Sequence, residues 1–501
     1  MHYTNIENQK LLHNFKKERR SFAIKKAKLK SDGILFCGEN ASDVTGSMIL
    51  IQFCNKKILL EAGLYQNNSY LESYRINSKK FKFNPKEIDY VFLNHSHIDH
   101  CGLLPRLVKE GFRGQIISTY GTFVFTQHLL RNCAFILADE ARILSKKYSR
   151  DYSPIYNEDD VEKTFEFFHI YNDYETIFQL DDVVKFQWLK NSHCLGAAQL
   201  QLILDDGLKK KKILYTSDIG AFHSENHYVD ETEYPTFFND VVIMESTYGL
   251  DSRISKKTRD FDVEHLRVAA ETVLERQGTL VLPAFSFSRS QELLTTLYQL
   301  FGTADTFQYQ VIVDSMLTCD ICDSYSSVLE GDKKKLWEDV YNWSNVLYVR
   351  EKTESQMCVA DSTPKIVISS SGFCTNGRIL SYLDKYLRDI NSMICFSGYV
   401  GNDESYLSYR IKNGKSHKTI NINKIPVPNR ADCITMSTFS SHANFNDLLK
   451  YGSDLKTNQL VLVHGSVEAK NCLKEHLKNE IAKNNHTYKV TCSQKDMMIA
   501  L

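Results

Sequence analysis

Long apolar runs are missing from this sequence. No stretch reaches the ~18 consecutive apolar residues that a membrane-spanning helix needs. The N-terminus has no apolar segment behind its first basic residues, so no secretory signal is visible there. These two absences predict a protein without membrane segments that works in the cytoplasm.

An excess of either charge is also missing. The chain has 61 lysine and arginine residues and 61 aspartate and glutamate residues, which give a net charge of zero. A globally basic field that would recruit a polyanion is therefore excluded. If the ligand is a nucleic acid, its attraction must come from local basic patches and from bound metal.

A disulfide framework is lacking, although the chain has 13 cysteines. They are scattered singly and their number is odd, which indicates reduced intracellular thiols. The one close pair, Cys319 and Cys322, has no second pair to complete a zinc knuckle. We assign this pair a structural role.

The pattern of secondary structure changes along the chain, whose length of 501 residues predicts two or three domains. A lysine-rich extension is followed, from Gly33, by short apolar strands between turn residues. From about Leu250 strands alternate with helices, which is typical of a parallel sheet with crossover helices. The pattern of the first region then returns towards the C-terminus. The predicted organisation is an extension at 1–32, a first domain at 33–249 and 431–501, and a second domain inserted at 250–430.

The strongest chemical signal is the sequence HSHIDH at residues 95–100, which follows an apolar strand. Alternate residues of an extended segment face the same side, so His95 and His97 can bind one ion. Asp99 and His100 lie past the turn and can reach a second ion, roughly 3.5–4 Å from the first. Imidazole and carboxylate are ligands that zinc accepts. The segment therefore predicts a site for two metal ions.

Five more polar residues lie where an apolar strand meets a turn or in a short polar loop. Each of His193, Asp218 and His464 is by itself more often structural, but together they would complete two metal sites. The Asp218 carboxylate can bridge two ions because it has two oxygens. Glu245 and His442 have the composition of a proton-handling pair, since a carboxylate beside a histidine raises the pKa of the imidazole. Their separation along the chain leaves this pairing open.

In this order, the residues resemble the β-CASP branch of the metallo-β-lactamase superfamily, from about Gly33 to the C-terminus. The resemblance implies an α/β fold, in which a metallo-β-lactamase αββα sandwich carries an inserted β-CASP α/β domain. The segments that carry it are DVTGS at 43–47, LEAG at 60–63, HSHIDH at 95–100, His193, Asp218, Glu245, LPAF at 282–285, RSQE at 289–292, DS at 314–315, SSSGF at 369–373, His442 and His464.

The resemblance also implies two zinc ions per chain and a hydroxide that attacks phosphorus in line. His442, oriented by Glu245, would protonate the leaving oxygen. The inserted domain would leave a slot for a single strand. The implied assignments are His95, His97 and His193 on one zinc; Asp99, His100 and His464 on the other; Asp218 as the bridge; Asp99, Asp218, Glu245 and His442 in catalysis; and Arg289, Ser371, Gly372 and Arg378 as phosphate contacts.

The implied function is a zinc-dependent ribonuclease acting on single-stranded RNA, because His464 matches the RNA-processing members of the branch. Internal cutting and 5′-to-3′ trimming are both open. Three positions depart from the family pattern: Glu61 stands for an aspartate, Asn444 for an aspartate and Ser466 for a glutamate. None removes a predicted ligand, but they leave a divergent specificity open.

Other functions share part of this pattern. A small-molecule hydrolase would share the 95–100 segment but would not need the inserted region or His442. A DNA or dual-specificity nuclease of the same branch stays open. A catalytically weak subunit of an RNA-processing complex also stays open. Inactive members of the branch lose metal ligands, however, whereas this chain keeps all seven candidate ligands. A homodimer or an RNA-processing complex is the expected assembly, beside the RNA substrate.

Overall fold

The computed structural model describes most of the chain. The described residues are 31–222, 226–254, 257–304, 306–401, 403–414, 416–484 and 486–501. The predicted extension at 1–32 lies outside them, apart from its last two positions. Among the described residues, none of the helices combines the length and the apolar character needed to cross a bilayer.

Two seven-stranded sheets form the first domain, and their facing sides enclose one apolar core. The first sheet has the strand order Met498–Ala500, Gly33–Phe36, Ile49–Phe53, Lys56–Leu60, Tyr90–Phe92, Gln115–Ser118, Phe168–Ile170. The second has the order Lys489–Cys492, Thr457–Val463, Asn239–Glu245, Lys210–Tyr215, Ala198–Asp205, Val184–Lys190, Phe178–Gln179.

Side-chain alternation explains why both faces of these sheets are covered. In strand Ile49–Phe53, Ile49 and Ile51 point into the core between the sheets, whereas Leu50 points to the opposite face. Both sets are apolar, as expected when helices pack outside a sheet. The Phe92 and Trp188 rings, from opposite sheets, meet edge to face at 6.0 Å.

Helices cover the outer face of each sheet, which confirms the predicted αββα sandwich. The longest, Tyr120–Tyr148, begins after Thr119, whose side chain accepts from the Thr122 N–H. One of its faces packs on the first sheet, and Phe125 packs on the inserted domain. The helices of this domain are Tyr70–Asn77, Ile98–Cys101, Leu104–Lys109, Tyr120–Tyr148, Glu158–Phe165, Phe445–Asp454 and Val467–Lys483, with 3₁₀ turns at Glu39–Ala41 and Pro85–Glu87.

The inserted domain has one six-stranded sheet in which every pairing is parallel, as predicted. Its strand order is Val346–Val349, Gln310–Asp314, Lys365–Ser369, Thr279–Pro283, Met393–Phe396, Asp432–Thr435. Its helices are Arg259–Glu275, Arg289–Phe301, Met316–Tyr325, Gly331–Tyr341, Lys352–Ala360, Ile379–Tyr386 and Leu407–Lys412, after a 3₁₀ turn at Asp251–Arg253. A hairpin, Thr419–Ile422 with Ile425–Pro428, precedes the last strand.

The return to the first domain comes later than the sequence pattern suggests. Strand Asp432–Thr435 still pairs with Met393–Phe396 inside the third sheet. Asn429 and Arg430 therefore connect the hairpin to the last strand of this sheet rather than to the first domain. The chain returns to the first domain after Thr435 rather than at 431. The boundary was placed too early because the sequence of a short apolar strand does not indicate which sheet it joins.

Gly63 is packed too tightly to carry a side chain. A Cβ built there would lie 1.6 Å from the Asp99 carbonyl oxygen. We expect Gly63→Ala to displace the 95–100 segment and to lower the free energy of unfolding by roughly 3 kcal/mol, measured by chemical denaturation. The matched control is Gly207→Asn, because nothing lies within 4 Å of that Cβ and asparagine tolerates its φ of +85°. An unchanged unfolding midpoint for Gly63→Ala would contradict the packing argument.

Candidate metal centre

The candidate ligands lie at or just beyond the ends of strands from both sheets of the first domain. His95 and His97 follow Tyr90–Phe92, His193 follows Val184–Lys190, and Asp218 follows Lys210–Tyr215. His464 comes directly after Thr457–Val463. Loops leaving a rigid sheet can hold side chains in fixed positions while the strands pack in the core. The centre is therefore built on the strand ends of the two sheets.

Three backbone turns with positive φ aim these side chains. The φ angles are 60° at Glu61, 53° at Ser217 and 49° at His464. Non-glycine residues adopt this region at a cost, and such residues cluster at functional sites. Hydrogen bonds hold two of the turns: the Ser217 hydroxyl donates to Glu61 at 3.0 Å, and the His464 N–H donates to the Asn40 carbonyl at 2.9 Å.

The structure brings the seven candidates together in two adjoining groups. His95, His97 and His193 form one, and Asp99, His100, Asp218 and His464 form the other; within each group the ligand atoms lie within 4.8 Å of one another. The groups meet at Asp218. Its Oδ2 lies 3.3 Å from His100 Nε2 and 3.8 Å from both His95 Nε2 and His193 Nε2.

The protonation states of most candidate ligands favour the binding of a cation. Burial lowers the pKa of His95 and His193 well below the usual histidine value and that of His97 to about 4, so the three imidazoles are neutral. Burial alone would raise the pKa of Asp218, but His464 and His100 lower it well below its usual range. His95, His97 and His193 thus present neutral nitrogens beside the ionised Asp218, whereas for His100 burial is outweighed by Asp218 and Asp99, which raise its pKa well above the usual value.

Nitrogen lone pairs that have no hydrogen-bond partner test whether a metal ion fits the site. His95 Nε2 is buried and has no hydrogen-bond partner. His193 Nδ1 donates to the Ser441 carbonyl at 3.2 Å, which leaves its Nε2 lone pair facing His97 Nδ1 at 3.1 Å. Buried lone pairs without a proton to accept are costly, and a cation satisfies them. The donor set therefore fits a divalent metal such as zinc.

Hydrogen bonds from outside the centre orient the imidazole rings. Ser217 Oγ lies 3.1 Å from His95 Nδ1, and Thr247 Oγ1 lies 3.0 Å from His464 Nδ1. Such contacts fix the ring orientation and raise the basicity of the ligand. Glu61 is one methylene longer than the aspartate of the family pattern, but it still orients the neighbouring residues. One of its oxygens accepts from both the Ser217 hydroxyl and the Asn94 N–H.

The proposed proton-handling residues, Glu245 and His442, are in contact. His442 Nδ1 lies 3.2 Å from Glu245 Oε1, and Glu245 is completely buried. Burial alone would lower the pKa of His442, but the Glu245 carboxylate more than compensates and raises it to about 10. The His442 side chain is 22% exposed, and its ring lies 4.7 Å from that of His193. An imidazolium therefore faces solvent beside the metal ligands.

The four candidates for phosphate contact have different surroundings. Arg289 lines a small cavity of about 70 Å³ between the domains, together with Ser192, Ser440 and Ser441. Among the described residues, its guanidinium donates to the Ser397 carbonyl and pairs with no carboxylate. Burial lowers its pKa to about 10, so it stays cationic at neutral pH.

The other three candidates lie in the inserted domain. Ser371 and Gly372 follow strand Lys365–Ser369, and Gly372 packs against the Phe285 ring. Arg378 donates to Asp314 at 2.8 Å and to the carbonyls of Val349 and Arg350. These bonds tie Arg378 to the ends of neighbouring strands.

Sequence reasoning missed the residues that hold the His442 loop. Asp262 accepts from the backbone N–H groups of Ser437 and Thr438, at 2.7 and 2.9 Å. The Arg259 guanidinium stacks on Phe439, 3.4 Å from its ring centroid. Both charged residues belong to the first helix of the inserted domain. An acidic residue in a first helical turn is common without such a partner, so the sequence carries no signal of this contact.

Sequence models of three families match the chain in consecutive segments. The metallo-β-lactamase superfamily matches residues 41–175, the Beta-Casp domain matches 290–404, and the Zn-dependent metallo-hydrolase RNA specificity domain matches 426–488. The three segments follow the order of the observed domains and include four of the seven candidate ligands in the first and one in the last. The chain therefore combines a metal-binding hydrolase domain with an inserted one.

Several named proteins are similar over most of this chain. An RNase J-like protein of Methanocaldococcus jannaschii is 25% identical over 84% of this chain and 89% of its own length. A ribonuclease of Thermus thermophilus is 27% identical over 85% and 92%. The endoribonuclease YSH1 of Kluyveromyces lactis is 22% identical over 87% of this chain, which spans 56% of that protein.

A solved structure shares the fold. A crystal structure of a protein of unknown function from Enterococcus faecalis V583 superposes with a TM-score of 0.52 and 13% identity. The match covers 94% of this chain and 100% of that chain. At this identity the likeness concerns the architecture alone.

Replacing Asp262 tests its contact with the His442 loop. Asp262→Ala leaves two backbone N–H groups and the Thr438 hydroxyl without the buried Asp262 acceptor, so we expect a loss of about 2 kcal/mol in the free energy of unfolding. Asp260→Ala is the control, because Asp260 is exposed in the same helical turn, and we expect a change below about 0.5 kcal/mol. Equal denaturation midpoints for the two variants would show that the contact is not stabilising.

Proposed function

The chain belongs to the β-CASP family of metallo-hydrolases, and from that premise we propose that it is a ribonuclease that hydrolyses phosphodiester bonds of single-stranded RNA. One observation carries the proposal. Two groups of metal ligands share Asp218, and the His442–Glu245 pair stands beside them. The names of the relatives, ribonuclease and endoribonuclease, and the RNA specificity domain favour RNA as the substrate.

Two zinc ions per chain account for the ligand set. His95, His97 and His193 would hold one, while Asp99, His100 and His464 would hold the other, with Asp218 between them. When bound, zinc supplies Lewis acidity and ionises water at neutral pH, which a phosphodiester hydrolase requires.

The chain's own residues supply the proton and the orientation. His442 Nδ1 is held by Glu245, which leaves Nε2 to donate a proton to the leaving oxygen. Glu245 also accepts from the N–H groups of Ile219 and Thr247, so its carboxylate cannot turn away. The raised pKa keeps His442 protonated in the ground state, as a general acid requires.

Arg289 is the residue best placed to attract the phosphate backbone. It is a half-buried cation that pairs with no carboxylate among the described residues, in a cavity lined by serine hydroxyl groups, Arg259 and Glu292 next to the His442 loop. Such a cation gains free energy when an anion enters. We keep Ser371 and Gly372 as candidate phosphate contacts, whereas Arg378 is already committed to Asp314.

Removing one ligand tests the assignment of the metals. We expect about two zinc ions per purified chain, and His97→Ala should lower the zinc content and reduce cleavage of end-labelled single-stranded RNA by roughly 100-fold or more. His169→Ala is the control, because His169 is exposed on an edge strand. An active His97→Ala enzyme would refute the assigned chemistry. Faster cleavage of single-stranded DNA than of RNA would instead favour the alternative nuclease.

Replacing His442 tests the proton transfer separately from metal binding. His442→Ala should keep its zinc and lose roughly 100-fold or more in turnover. A substrate with bridging sulfur at the leaving position needs little protonation, so it should restore much of the rate. Loss of zinc from the variant, or an equal defect on both substrates, would contradict the role of general acid.

The mode of cutting and the assembly are open to direct experiments. Mapping products from RNAs with 5′-triphosphate, 5′-monophosphate and 5′-hydroxyl ends separates internal cutting from 5′-to-3′ trimming. A homodimer, membership in an RNA-processing complex and a cytoplasmic location stay predictions. Light scattering of the purified chain tests the first of these.

A further inference from the structure

A third cluster of metal-binding side chains lies outside the centre described above. Asp251, Cys472 and His476 each offer one ligand atom, and these atoms lie within 4.8 Å of one another. Asp251 begins the 3₁₀ turn at the start of the inserted domain, whereas Cys472 and His476 lie on helix Val467–Lys483 of the first domain. The proposed function uses none of the three.

The two residues on the helix have the spacing of a bidentate metal site. Cys472 and His476 are four positions apart, so their side chains lie on the same face of the helix, one turn from each other. Pairs of ligands at this spacing bind zinc in other helices. Asp251 approaches the same point from the opposite domain.

Neighbouring contacts bring the two chain segments of this cluster together. The chain just before Asp251 is pressed on the helix, since a Cβ at Gly249 would lie 2.6 Å from the Ala469 carbonyl oxygen. Just after it, Arg253 stacks over the Tyr248 and Tyr399 rings, at 4.9 and 4.6 Å. On the helix, the His476 ring meets the Phe445 ring edge to face at 5.1 Å. The cluster is therefore a product of packing on both sides.

We propose that Asp251, Cys472 and His476 bind one thiophilic divalent cation, of the zinc class, at the surface of the protein. A thiolate, an imidazole and a carboxylate together favour zinc over magnesium or calcium, which prefer oxygen ligands. Tetrahedral zinc needs ligand atoms about 3.5 Å apart, which rotation of the exposed Asp251 and His476 side chains supplies. Solvent occupies the fourth position.

The bound cation joins two parts of the chain that belong to different domains. One is the junction that leads from Glu245 through Tyr248 into the inserted domain, and the other is the C-terminal helix of the first domain. Occupancy restrains the segment that carries Glu245, the partner of His442. The site therefore differs from the buried centre in exposure, in chemistry and in function.

Cobalt substitution distinguishes this site from the buried centre, whose proposed ligands include no sulfur. Full-length protein is stripped of metal and titrated with Co²⁺, and absorption is followed in the near ultraviolet, where cobalt–thiolate charge transfer appears. We expect such a band in the wild-type protein. Cys472→Ser should abolish the band and bind one fewer cobalt ion per chain. Asp251→Asn and His476→Gln should weaken the binding that produces it.

Cys54→Ser is the matched control, because Cys54 is also a free cysteine that is not buried but lies on the turn between strands Ile49–Phe53 and Lys56–Leu60. It should keep the full band. Absence of a thiolate band in the fully loaded wild-type protein would overturn the proposal, and so would its persistence in Cys472→Ser. RNA cleavage is not the readout, so failure of this site leaves the proposed function standing.

Discussion

Five imidazoles and two carboxylates converge in the interior of this protein, where a polar group without a partner costs free energy. Pairing within the group relieves part of this cost, since His100 Nε2 lies 3.3 Å from Asp218, but among the described residues His95 Nε2 has no hydrogen-bond partner. A divalent cation would satisfy such a lone pair, which links folding to metal binding. Several other features of the fold place or hold the candidate ligands of this centre.

The positive-φ turns at Ser217 and His464, together with the close approach of Gly63 to the Asp99 backbone, illustrate the dependence. Each places one candidate ligand, and each is held by neighbouring hydrogen bonds or packing rather than by local preference. The inserted domain contributes as well, because Asp262 and Arg259 hold the loop that leads to His442. The metal centre belongs to the first domain, but the loop that carries His442 is held by the inserted domain.

Much of the architecture could be predicted from local patterns. The strand–helix repeats predicted the parallel sheet of the inserted region, because side-chain periodicity follows the local element, whereas the αββα sandwich was implied by the family resemblance. The boundary at 431 came too early, since strand Asp432–Thr435 joins the third sheet. Arg378, a proposed phosphate contact, also pairs with Asp314, which the sequence pattern did not indicate. Both contacts join partners that are distant in sequence.

The sequence by itself determined which chemical groups are available. The HSHIDH segment, His193, Asp218 and His464 offer ligands for two ions, because ligand type and strand-end position are local properties. Only the tertiary structure decided which groups meet: Glu245 with His442 across 197 positions, Asp262 with the loop at 437–438, and Asp251 with Cys472 and His476. Such contacts arise when separate strands and helices pack together, and no local pattern of residues encodes them.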